Sequence, residues 1–165
     1  MCIHFYSIGS YRYYRSEPSG FRITCLTARH FSGRRRAPPC MRKASMNPSL
    51  WASFMLEGRS TVYIGGDSGY DAHFSEIGKR LPHIDLAILE NGQYNEDWRY
   101  IHTMPEQLPA EIHELDAAKV LPVHNSKFSL SRHAWDEPIH RIEQAATKDS
   151  SLHVIHGIIG SPIIY

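Results

Sequence analysis

From residue 84 onward the sequence alternates between two hydrophobic periods, and that alternation constrains the fold more than any other feature. "IDLAILE" (84–90) and "AKVLPVH" (118–124) are short apolar runs of strand length, while "MPEQLPAEIHELDAA" (104–118) and "DEPIHRIEQAATK" (136–148) carry helical spacing. Strands alternating with helices predict an α/β layered sheet with helices packed on one face. Asp136 is placed to cap the last helix, with Pro138 in its first turn. Upstream, "FRITCLTA" (21–28) alternates apolar and polar residues as a strand does. "LWASFMLEG" and "STVYIGG" flank a turn near Gly58 as a hairpin would, and "YDAHFSEIGKR" predicts a helix. Two short apolar pieces, "LHVIH" and "GIIGSPIIY", follow the last helix, and no internal repeat is present.

A chain of 165 residues with ordinary apolar content builds one domain with a real core. Its near-neutral net charge hides an asymmetry: residues 1 to 45 carry nine Arg and Lys side chains against Glu17 alone. A basic arm attracts phosphate or anionic surfaces, but "RRRAPPCMRKASMNPS" has no apolar period and is broken by Pro38 and Pro39, so it reads as a solvated irregular loop. Specific nucleic-acid binding is not expected. Cys2, Cys25 and Cys40 are odd in number and lack metal-binding spacing, which suggests a reducing compartment. No apolar run approaches the roughly 20 residues of a membrane span, and the first residues lack an export signal's apolar region. The expectation is a cytoplasmic protein.

The stretch "GGDSGYD" (65–71) admits three chemistries. As a serine-protease nucleophile, Ser68 would need His30 beside it in a double barrel, which the helix-rich second half does not allow. As a haloacid-dehalogenase-like magnesium site, Asp67 and Asp71 would need an upstream Asp-x-Asp, and the sequence has none. As a metal ligand, Asp67 has company: His30, Asp67 and His124 each lie just beyond a predicted strand. Strand ends at one sheet edge can aim several side chains at one point. Imidazole suits zinc, iron or manganese.

The blocks "TARHFSGR", "LWASFMLEG", "YIGGDSGYDAHFSEIGKR", "IDLAILENGQY", "YIHTMPEQ" and "VLPVHNSKF…HAWDEP" resemble, in order, the metallo-β-lactamase superfamily. The branch is that of N-acyl-phosphatidylethanolamine phospholipase D and the ascorbate-phosphate lactonases. The resemblance covers residues 21 to about 140 and corresponds to the carboxy-terminal half of an αββα sandwich: a mixed sheet with helices on one face. Residues 1–20 form a non-matching segment, and 21–165 a partial domain with an irregular basic insertion at about 34–49.

Several further expectations are implied by this resemblance. His30, Asp67 and His124 stand at family metal ligands, with Asp67 as the bridging carboxylate and Asp67 and His124 as the catalytic pair. His102 matches a histidine near the family's active site and is a candidate to orient substrate, while Tyr94, on the loop after 84–90, and Lys127, just after His124, are candidate substrate contacts by their place in the sequence alone. Complete relatives hold two ions, usually zinc, with manganese or iron as alternatives, and use a metal-bound hydroxide on a small-molecule or lipid phosphodiester or a lactone. Their His-x-His-x-Asp-His cluster lies upstream of the "RHFSGR" block, and no His-x-His occurs in this sequence. Each ion would then have at most two protein ligands, so weak metal binding and little hydrolysis are expected of the isolated chain. The alternative is a non-catalytic, partner-binding remnant, with self-association through the uncovered sheet.

Overall fold

In the computed structural model, residues 3–8, 11–16, 20–31 and 51–164 are described. The basic stretch at 34–49 lies outside the described residues. Seven strands form one sheet in sequential order: β1 (Ile3–Ile8), β2 (Tyr11–Ser16), β3 (Arg22–Thr27), β4 (Ala52–Glu57), β5 (Thr61–Ile64), β6 (Leu86–Glu90) and β7 (Val120–Val123). Strands β1 to β5 pair antiparallel. The β5–β6 and β6–β7 pairs are parallel, so each must be joined by a crossover. Helices α1 (His73–Arg80) and α2 (Leu108–Glu114) are those crossovers, and α3 (Glu137–Lys148) follows β7.

The hairpin β4–β5, the strands at 21–28, 84–90 and 118–124, and the helices around 73–80 and 136–148 lie where periodicity predicts them. Three details differ. The segment before residue 20 contributes β1 and β2, which sequence periodicity did not reveal. Helix α2 is shorter than 104–118: Pro109 sits in its first turn, and Asp116 adopts a left-handed φ of 53° that stops it. Asp136 occupies the capping position of α3 without a side-chain capping bond, its carboxylate lying 3.9 Å from His140 Nδ1 instead.

The core lies between the sheet and the helices. Leu26, Met55, Tyr63, Ala87, Leu89 and Val120 from the strands pack with Phe74 and Ile77 of α1, Leu108 and Ile112 of α2, and Ile142 of α3. Helices α1 and α2 approach so closely that a Cβ on Gly78 would lie 1.9 Å from the Glu114 carbonyl oxygen. The opposite sheet face carries Ile23, Cys25, Leu56, Val62, Ile64 and Ile88, all partly buried, and Phe54, which is 41% exposed. Among the described residues, no helix is long and apolar enough to cross a membrane.

Candidate metal centre

Sheet polarity positions the site. Because β3 is antiparallel to β4, and β4 to β5, β3 runs in the same direction as β5, β6 and β7. The carboxyl ends of these four strands therefore share one edge. His30 lies three residues past β3, Asp67 three past β5, Glu90 closes β6 and His124 immediately follows β7. The turn into Asp67 uses Gly66 at φ 67°, a conformation that side chains disfavour. His124 itself adopts φ 64°. A left-handed non-glycine residue costs about 1–3 kcal/mol, and such strain collects at functional sites.

The three sequence-predicted donors meet. Asp67 Oδ2 lies 3.6 Å from His30 Nε2 and 3.7 Å from His124 Nε2. Both distances exceed a hydrogen bond, yet they approach the edge of about 3.3 Å expected for two donors on one tetrahedral zinc ion. His30 Nε2 is buried and has no hydrogen-bond partner. An orphaned imidazole nitrogen facing a carboxylate beyond hydrogen-bond reach fits a cation held between them, and the donor set suits zinc or another divalent transition metal. The Phe31 amide donates to His30 Nδ1 at 2.7 Å, and the Phe31 carbonyl oxygen lies 3.3 Å from the same nitrogen. With Nδ1 accepting, the neutral ring carries its proton on Nε2, so holding a cation there requires the other tautomer, in which Nδ1 donates to the carbonyl.

His102 joins this cluster. Its ring centroid is 5.3 Å from that of His30 and 5.3 Å from that of His124. Its Nδ1 lies 2.8 Å from Glu90 Oε2, and the other Glu90 oxygen accepts the Thr103 amide at 2.7 Å. Burial lowers the pKa of both His102 and His124, with the Asp67 charge opposing. Both imidazoles thus favour the neutral form, the form that binds metal. Burial also raises the Glu90 carboxyl well above its ordinary range, against the Thr103 hydrogen bond.

His30, Phe31, Asp67, Gln93, Trp98, His102, His124 and Leu130 line a cavity of about 350 Å³. Tyr94 and Lys127 are not among its walls. The Tyr94 ring stacks on His133 at 4.2 Å and its hydroxyl donates to Glu137 at 3.0 Å, facing a different cavity beside α3. Lys127 lies over the Phe128 ring. The left-handed turn at Gln93, φ 62°, separates the neighbouring Gln93 and Tyr94 into the two cavities.

Ser68 is structural. It is 2% exposed, its Oγ accepts the Arg29 amide at 2.9 Å, and it lies 3.3 Å from His73 Nε2. Burial pushes the His73 pKa down to about 4, too low for an effective base. Asp71 is engaged by Arg29 at 3.0 Å and is not among the cavity walls. Ser68→Ala is expected to lower unfolding stability by about 1–2 kcal/mol through the lost acceptor, with zinc affinity unchanged. Urea denaturation and chelator competition on the same variant check both parts.

The family model for the beta-lactamase superfamily domain matches residues 9–125, spanning β2 to the first residues after β7. The chain belongs to the metallo-β-lactamase superfamily. RomA of Klebsiella pneumoniae, described as an outer membrane protein, is 46% identical over 103 residues, covering 62% of this chain and 72% of that protein. The mitochondrial N-acyl-phosphatidylethanolamine-hydrolyzing phospholipase D of Saccharomyces cerevisiae is 33% identical over 132 residues. That match covers 76% of this chain but 27% of the yeast protein. Among solved structures, the metallo hydrolase Igni18 of Ignicoccus hospitalis superposes with a TM-score of 0.60 at 21% identity, over 86% of this chain and 52% of that one. This last likeness shows the family fold, of which the present sheet and helices are about half.

Proposed function

We propose that the cluster at the sheet edge is a metal-dependent hydrolase site acting on a phosphodiester or a lactone. The observation that carries this reading is the Asp67 carboxylate set 3.6 and 3.7 Å from two imidazole nitrogens, one of them buried without a partner. His30, Asp67 and His124 would contribute to holding metal, no more than two of them to any one ion if Asp67 is shared, with zinc a good fit to imidazole and carboxylate donors. When bound there, a divalent ion would supply a nucleophile at neutral pH and Lewis-acid stabilisation of charge developing on a phosphoryl or carbonyl oxygen. The protein's own share is positioning. Asp67 brings negative charge to the cavity, the neutral rings of His102 and His124 offer lone pairs, and Phe31, Trp98 and Leu130 shape the walls where substrate enters. The phosphodiester choice is supported by the yeast relative, named for hydrolysing a phospholipid.

Turnover by the chain alone is low in this reading, because the sequence supplies no His-x-His-x-Asp-His cluster. The test mixes the purified chain with a separately expressed amino-terminal half of a relative bearing that cluster. Hydrolysis of bis-p-nitrophenyl phosphate and of a simple lactone is then followed with zinc present. A gain of about 100-fold or more over the chain alone, the scale of well-positioned catalytic groups, is expected, and it should vanish with Asp67→Ala. Zinc-loaded, associated halves that hydrolyse neither substrate would sink the proposal.

The partly buried apolar sheet face, with Phe54 exposed on it, favours a second reading, in which the chain serves as a binding partner without turnover. Association of the halves without hydrolysis, or concentration-dependent self-association in sedimentation, would support it.

A further inference from the structure

The resemblance to the family offers three donors, of which only two can reach any one ion if Asp67 bridges a pair. The structure adds a fourth residue. We propose that His102 is a direct metal ligand, completing with His30 and Asp67 a three-donor site for a single divalent ion within this chain. The proposal rests on the metal-site reading above and deepens it by changing the donor count.

Three observations carry it. One donor atom from each of His30, Asp67 and His102 lies within 4.8 Å of the other two, a separation that small side-chain rotations close onto one ion. The His102 ring is held from behind: Nδ1 lies 2.8 Å from Glu90 Oε2, and in the tautomer that donates from Nδ1 to that oxygen Nε2 is the available donor. A metal-bound histidine characteristically gives its other N–H to a carboxylate, which orients the ring and strengthens it as a ligand. Glu90 is itself fixed, being 3% exposed and bonded to the Thr103 amide, so the ring is backed by a rigid strand end and not by a mobile side chain. Thr103 ties the same segment to the Asp67 turn, because its hydroxyl reaches the Ser68 carbonyl oxygen at 2.9 Å. Two donors from different loops are thereby braced against each other.

Three protein donors with a fourth position open is the arrangement of catalytic zinc, whereas two donors alone bind weakly. The chain should therefore take up one equivalent of zinc tightly even where it hydrolyses little. That reverses the weak binding expected from the sequence.

The experiment uses the full chain, stripped of metal and titrated with Zn²⁺ against a chromogenic chelator, then with Co²⁺ for its visible spectrum. The wild type is expected to bind one equivalent, and His102→Gln to lose about 100-fold or more in affinity while keeping its circular dichroism. A second variant reads coordination directly. His102→Cys should create a near-ultraviolet thiolate-to-cobalt charge-transfer band absent from the wild type, whose own Cys2, Cys25 and Cys40 serve as the control. If His102→Gln binds zinc as the wild type does while Asp67→Ala does not, this proposal fails and the site reading stands. A loss in His102→Gln without the new band in His102→Cys also overturns it, leaving His102 a positioning residue. A wild-type chain that takes up no zinc overturns both readings.

Discussion

Asp67→Ala is expected to lower the chain's zinc affinity by about 100-fold or more while leaving its folding free energy within roughly 0.5 kcal/mol of the wild type. Removing an outer residue that only orients a ligand already costs 10- to 100-fold in metal affinity, and Asp67 stands closer than that, its Oδ2 near two imidazole nitrogens at once. The folding part follows from exposure. The side chain is 47% accessible, so its removal behaves as a surface change. Chelator competition and urea denaturation on one preparation separate the two quantities. Zinc affinity within a few-fold of the wild type would show that the cluster's geometry does not reflect metal binding.

Gly78→Ala is expected to act in the opposite way, on stability and not directly on the site. In an exposed helix interior this change would stabilise by about 0.5–1 kcal/mol. Here the new Cβ would meet the Glu114 backbone oxygen at 1.9 Å, and backbone cannot rotate aside. Overpacking of this kind costs 1–3 kcal/mol and occasionally more, so the steric term wins. A net loss of about 1–2 kcal/mol lowers the melting temperature by roughly 2–8 °C in a domain of this size. A thermal melt equal to or above the wild type would show that α1 and α2 lie farther apart than described.

How much of this was legible in the sequence depended on which groups advertise themselves locally. His30, Asp67 and His124 could be found because each follows a strand whose periodicity is visible, and strands running the same way bring their ends together. The Glu90–His102 pair was not found in the same way. Glu90 ends the apolar run "IDLAILE", where it looks like a strand terminus, and only the fold shows it buried against His102. A carboxylate closing an otherwise apolar buried strand was the available clue, since such a group needs a partner. Tyr94 and Lys127 were placed by sequence proximity to the site, but backbone direction in loops is set by tertiary contacts, and the turn at Gln93 sends Tyr94 elsewhere. The hairpin of "IHFYSI" and "YRYYRS" carried aromatic and β-branched residues around a Gly-Ser pair, a readable signal that the basic character of the region obscured.

His30 and Asp67 hang from the antiparallel β3–β4–β5 run, whereas His102 and His124 join them only through the two crossovers that place β6 and β7 beside β5. The pocket is therefore whole only when those parallel pairings exist. A cation shared by donors from both parts finds them together nowhere else. It can only fasten the finished arrangement, like a clasp closed after the garment is on.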